Sequence, residues 1–191
     1  MASKKRSSSA AKPSNKEGNA YQSEPGRAIA EDKSTFMEPA ELLTRPESYA
    51  ETSTRKAVKI LNPYRASFKS PAVMLSTIKQ GLAAEAIGDL IEITGATQVD
   101  LAHILDLTEP TLRKHIRAGK ELNTALSEHI LQLFKLFDKG MDTFGSLEEF
   151  KAWLKHDSIG LPVRPLDLLD TITGINMVMD QLIRIDYGIT V

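Results

Sequence analysis

Residues 97–120, TQVDLAHILDLTEPTLRKHIRAGK, admit very few folds. Thr97 is a natural helix N-cap, and Asp100, three residues on, completes a capping box. Leu101, Ala102 and Leu105 then share one helical face. Asp106, Leu107 and Thr108 form a turn. Thr108 caps a second helix, with Pro110 in its first turn, where a missing N–H is harmless. Leu112 and Ile116, four apart, are expected to bury the inner face of that helix, and Gly119 suits a left-handed cap at its end.

Bulk is placed as two crossing helices require. Ala102 stands mid-helix, where a neighbouring helix needs a residue without bulk, and Leu107 plugs the turn from inside. This is the pattern of a helix-turn-helix, whose second helix lies in the DNA major groove. The outward face carries Glu109, Arg113, Lys114 and Arg117, with Lys120 just beyond. Arg113 and Lys114 suit guanine edges, while Arg117 and Lys120 suit phosphates. Gln98, Thr108, Glu109 and Thr111 complete the candidate DNA-binding set, with Gln98 placed to touch backbone. The competing reading is a pair of packed helices with a solvated charged face, which holds a fold together without reading DNA.

The whole chain fits that small all-α unit. Its 191 residues allow one large or two small domains, and 41% hydrophobic residues suffice for a core. Only 6% are aromatic, so the core rests on Leu, Ile and Val. With no cysteine, disulfides, thiolate metal sites and cysteine nucleophiles are excluded together, which fits a cytoplasmic protein. No apolar run approaches the roughly 20 residues of a membrane span. The basic N-terminus is followed by no apolar core, so it is no secretory signal. Residues 1–120 hold 18 basic and 14 acidic side chains, and residues 121–191 hold 6 and 11. A basic front and an acidic back point to two different partners.

Three segments are expected. Residues 1–55 form a disordered basic and polar extension, in which Lys4, Lys5, Arg6, Lys12 and Lys16 serve solubility or scan phosphates. Residues 56–122 form the helix-turn-helix domain. Val58 to Leu61 fits a short strand or a helical turn, Ser70 caps a helix opened by Pro71, and a helix follows over 82–94. Residues 123–191 form a C-terminal helical domain. Asn123 caps a helix that Gly140 stops; Ser146 and Glu149 form another capping box; Phe150, Trp153 and Leu154 make an inner face. Residues 165–174 are a short helix, and 175–187 a last one, which Gly188 ends.

No enzyme site emerges from these residues. His103 and His115 lack carboxylates at ligand spacing, Glu148 and Glu149 suit a helix N-terminus, and there is no glycine-rich phosphate loop. Asp167 and Asp170 fit helix-start electrostatics or a partner contact better than a catalytic pair. Neither a cofactor nor a metal is called for.

The C-terminal third resembles one family. Phe144-Gly145, then Ala152-Trp153-Leu154, then PLDLLDT from Pro165, Gly174, and finally Val178, Leu182, Arg184, Ile185, Tyr187 and Gly188 are similar to the Xre/MbcA/ParS antitoxins, over about 71–191. The chain departs from that pattern at residues 156–162, where a Pro-Asn and a Gly pair are usual. The resemblance implies a helix-turn-helix followed by a toxin-binding domain, neutralisation of a RES-domain toxin that consumes NAD or ADP-ribosylates a protein, and repression at the operon's own operator. Partners implied are the cognate toxin, operator DNA and a second copy of the chain in a homodimer, with no membrane. Candidate toxin-binding residues are Trp153, Leu166, Asp167, Arg184, Tyr187, Gly188, Ile189, Thr190 and Val191, and the acidic chain end complements a phosphate-binding NAD pocket. The alternatives are an adaptor that does not bind DNA and a stand-alone transcriptional repressor.

Overall fold

Capping residues set most helix boundaries in the computed structural model, which describes residues 49–188. All its regular elements are helical, as expected. They are α1 (Tyr49–Phe68), α2 (Pro71–Gln80), α3 (Glu85–Thr94), α4 (Gln98–Ile104), α5 (Glu109–Ala118), α6 (Thr124–Phe144), α7 (Leu147–Leu154), the 3-10 turn η1 (Pro165–Leu168) and α8 (Ile172–Asp186). Ser70, Thr97, Thr108, Asn123, Ser146 and Thr171 each accept a backbone N–H of the helix they open. The readings made of residues 1–48 and of Ile189, Thr190 and Val191 lie outside the described residues.

The core is built around α6. Ile130, Leu131, Leu133, Phe134, Leu136 and Phe137 are all buried there, so the helix is apolar nearly all round, as a central helix must be. α1, α2, α3, α7 and α8 pack on it. One continuous cluster of buried side chains runs from Ala57 to Leu182.

The structure corrects several expectations. α1 reaches back to Tyr49, into the segment expected to be a disordered extension to residue 55, and absorbs Val58 to Leu61 as plain helix. It forms because tertiary partners hold it. Ala57 and Leu61 are buried, the Tyr64 ring lies 4.3 Å from that of Phe134, and Arg65 donates twice to Asp138 Oδ1, at 2.6 and 3.0 Å. The helix expected over 82–94 starts at Glu85, because Leu82 is used otherwise. Its N–H donates to Ser127 Oγ at 2.9 Å, and its carbonyl accepts from Leu122 N at 2.8 Å.

Gly140 does not stop α6. It is a packing glycine: a Cβ there would sit 2.4 Å from the Phe150 ring. Nor do residues 165–174 form one helix. η1 ends at Leu168, and Thr171 caps α8, which already contains Gly174. A Cβ on Gly174 would meet the Leu168 carbonyl oxygen at 2.0 Å, so only glycine lets α8 lie against η1. Ile116 is 38% exposed and does not bury the inner face of α5, a task left to Leu112. Trp153 is half-buried, its ring 5.3 Å from that of Phe144 and 6.0 Å from that of Phe150.

Candidate functional site

α4 and α5 form the expected helix-turn-helix locally. The Thr97 hydroxyl accepts from Asp100 N at 3.2 Å, and the Asp100 carboxylate accepts from Thr97 N at 3.3 Å, so both halves of the capping box are made. The Leu107 N–H donates to the Ala102 carbonyl at 2.8 Å and the Asp106 N–H to that of His103 at 3.1 Å. Asp106 takes φ 51°, a left-handed conformation that Asp tolerates better than most residues, and this reverses the chain in so short a link. Leu101, Ala102, Leu105 and Leu112 are buried, and Gly119 closes α5 at φ 58°.

The predicted DNA residues gather on the outer side of this unit. Arg113 is tied in: Nη2 donates to Glu109 Oε1 at 2.5 Å, and Nε donates to Gln98 Oε1 at 3.2 Å. The hydroxyls of Thr108 and Thr111 lie 2.8 Å apart at the start of α5. Lys114, Arg117 and Lys120 are exposed. Pro110, Arg113, Lys114, Arg117 and Ala118 line a shallow concavity, in which every charged side chain is basic.

The predicted toxin-binding residues do not form one cluster. Trp153 belongs to the aromatic stack. Asp167 is clasped by Arg164, with Nε to Oδ2 at 2.8 Å and Nη2 to Oδ1 at 3.0 Å; this contact holds the exposed Arg164 guanidinium more firmly charged. Leu166 and Asp167 line a cleft of about 370 Å³ shared with His103, Ile104, Lys151 and Lys155, where both signs of charge meet. His129 Nε2 donates to the Leu169 carbonyl at 2.8 Å, anchoring the segment after η1 to α6.

Arg184, Tyr187 and Gly188 stand together at the far end of α8, and Tyr187 is 77% exposed. Sequence reasoning missed their neighbours. The loop before η1 lies along α8: a Cβ on Gly160, φ 91°, would be 3.0 Å from Gln181 Oε1 and 3.8 Å from Arg184 Nη1. Ile159, next to Gly160 in the chain, is 74% exposed; Val163 in the same loop and Ile183 on α8 are exposed as well. The available signal was an isoleucine and a valine in a loop with nothing beneath to bury them. Among the described residues no cluster of three or more metal-ligating side chains occurs, and no helix is long and apolar enough to cross a membrane.

Fold and surfaces define a helix-turn-helix protein carrying a helical docking domain. The model of the antitoxin Xre-like helix-turn-helix domain matches residues 73–135, and that of the antitoxin Xre/MbcA/ParS C-terminal toxin-binding domain matches residues 139–188. A protein of Sphingobium sp. (strain YBL2), the Prs ADP-ribosylating antitoxin, is 31% identical over 155 residues, covering 74% of this chain and 98% of its own length. The chain belongs to the Xre/MbcA/ParS antitoxin family: it is the antitoxin of a toxin–antitoxin system, and its partner is a toxin. The two matched segments meet between residues 135 and 139, inside α6, so one helix serves both.

Proposed function

We propose that the chain neutralises a RES-domain toxin of the ADP-ribosylating kind through the end of α8 and the adjoining loop, and represses its own operon through α5. The observation that carries the first half is that Ile183, Arg184 and Tyr187 at the end of α8, and Ile159 beside Gly160 in the loop that approaches Arg184, are all exposed within the segment matched as toxin-binding. Apolar groups around an arginine are what interface centres favour. The relative's name joins an antitoxin to ADP-ribosylation of Prs, which favours transfer of ADP-ribose over plain NAD consumption. Residues 121–191, with 11 acidic side chains to 6 basic, complement an electropositive NAD-phosphate site. In this reading the DNA-binding half runs into the first part of α6 and the toxin-binding half starts in its last part, as the two matched segments divide it.

A chain truncated after Asp186 tests the first half. It is expected to fold, bind operator DNA and lose rescue of cells expressing the toxin. Retained rescue sinks blockade by the chain end. For the second half, an Arg113/Lys114 double charge reversal is expected to abolish the operator shift in a gel. One observation favours an adaptor that does not read DNA: Glu109 and Gln98 already occupy the Arg113 guanidinium. A parent chain that gives no operator shift at all selects that reading, and a shift that survives the double reversal places DNA binding elsewhere than Arg113 and Lys114.

A further inference from the structure

The last turn of a helix has unsatisfied carbonyls and frays unless held. α8 is held by an ion pair. Asp186, its last residue, meets Lys139 of α6, which also reaches Asp142 at 3.2 Å. The pair joins positions 47 residues apart, and the two side chains are only 28% and 31% exposed. Arg113 with Glu109, Arg164 with Asp167 and Lys56 with Glu92 all have an arginine or lysine more than half exposed. The bond from Asp186 is the main cause that raises the Lys139 ammonium above its usual pKa, and the bond from Lys139 is the main cause that lowers Asp186. The buried Thr143 hydroxyl, which completes no hydrogen bond, also favours the ionised Asp186.

Position matters as much as charge. Ile175, Val178 and Leu182 form the buried stripe of α8, and Asp186 continues it at the same spacing. A partly covered ion pair contributes little net stability, but it does fix geometry. One residue further on stands Tyr187, and two before it Arg184.

We propose that Lys139 and Asp186 are positioning residues for the toxin interface: their ion pair pins the last turn of α8 to α6 and sets the direction in which Arg184 and Tyr187 meet the toxin. The inference rests on the reading that this end of α8 is the toxin surface. Lys139→Met and the near-isosteric Asp186→Asn test it in the full-length chain, with toxin dissociation followed from the purified complex. Amide exchange over 183–188, the thermal midpoint and operator binding are measured alongside. Each variant is expected to speed toxin dissociation about tenfold and raise exchange at the helix end, with operator binding unchanged. The double variant is expected to do no more than either single, since both remove the same bond. Lys139→Arg is expected to restore slow dissociation. Arg184→Ala and Tyr187→Ala run in the same assay separate the two ideas. If they speed dissociation while the Lys139 and Asp186 variants do not, the positioning role is wrong and the toxin surface stands. If none of the four does, the toxin binds elsewhere and both readings fall.

Discussion

Gly140 and Phe150 show what a single residue decides. Alanine is the better helix former, by about 1 kcal/mol over glycine in a helix interior. At residue 140, however, the added carbon would enter the Phe150 ring, which already packs edge-on against Phe137 at 5.2 Å. Overpacking of this kind costs about 1–3 kcal/mol, so Gly140→Ala is expected to lower the urea midpoint despite its helix propensity. An unchanged or higher midpoint would mean that the ring swings aside. Gly174→Ala is expected to cost more, because the atom in the way is the Leu168 backbone carbonyl. Leu112, fully buried, is expected to lose about 2–5 kcal/mol on truncation to alanine, read from the same melts. Spacing could not separate these glycines from true stops such as Gly95 and Gly119. A stop is a local event written in φ, whereas a packing glycine is explained by a side chain ten residues away or by another turn of chain. Ile116 was misplaced for the same kind of reason: a helix of three turns has two inner positions, and only tertiary packing decides how deep each one goes.

Elements were legible where they announce themselves locally. The capping residues of α2, α4, α5, α6 and α7 were all readable, because a side-chain oxygen three residues before a backbone N–H is a short-range signal. α1 was not. Its buried positions are few, and Pro63 inside it removes one backbone N–H; Pro63 is exposed, where water can satisfy the carbonyl so freed. What makes α1 a helix is its set of bonds to three others: Tyr64 to Asp89 of α3 at 2.6 Å, Arg65 to Asp138 of α6, and Thr54 Oγ1 accepting from Leu147 N, at the start of α7, at 2.9 Å. Burial first, and then the Asp89 carboxylate, push the Tyr64 hydroxyl well above its ordinary value near 10. Because the folded chain holds that proton more tightly than the unfolded chain, the contribution is complete below pH about 10 and is lost as pH rises beyond it. Tyr64→Phe is expected to cost about 1.5–3 kcal/mol at neutral pH, the range for hydrogen bonds to charged groups, and to flatten the alkaline limb of the stability curve. A variant whose alkaline limb keeps the wild-type slope would assign that limb to other groups.

At the scale of the whole molecule, α6 raises the question of whether the two activities are one. It carries Leu126, Ile130 and Phe134 in the first matched segment and Met141 in the second, and a single core runs through both. Neither half therefore closes its own core, and a cut at residue 138 would expose apolar surface on both sides. The proposed working surfaces, by contrast, sit on side chains outside that core: Lys114, Arg117 and Lys120 on or just beyond α5, and Arg184 and Tyr187 at the end of α8. Exposed substitutions away from packing usually change stability by less than about 0.5 kcal/mol, so each surface can be altered without touching the scaffold. Reversing Arg113 and Lys114 is expected to abolish specific operator binding, while Arg117→Ala and Lys120→Ala weaken all sequences and each reduce the salt dependence of binding by about one unit of slope. All of these variants are expected to rescue toxin-expressing cells as well as the parent does. The converse variant, truncated after Asp186, is expected to bind operator and fail to rescue. Matched melting curves make the comparison decisive. If charge reversal on α5 also abolishes rescue with the midpoint unchanged, DNA and toxin draw on one surface, and the division of labour across α6 is wrong.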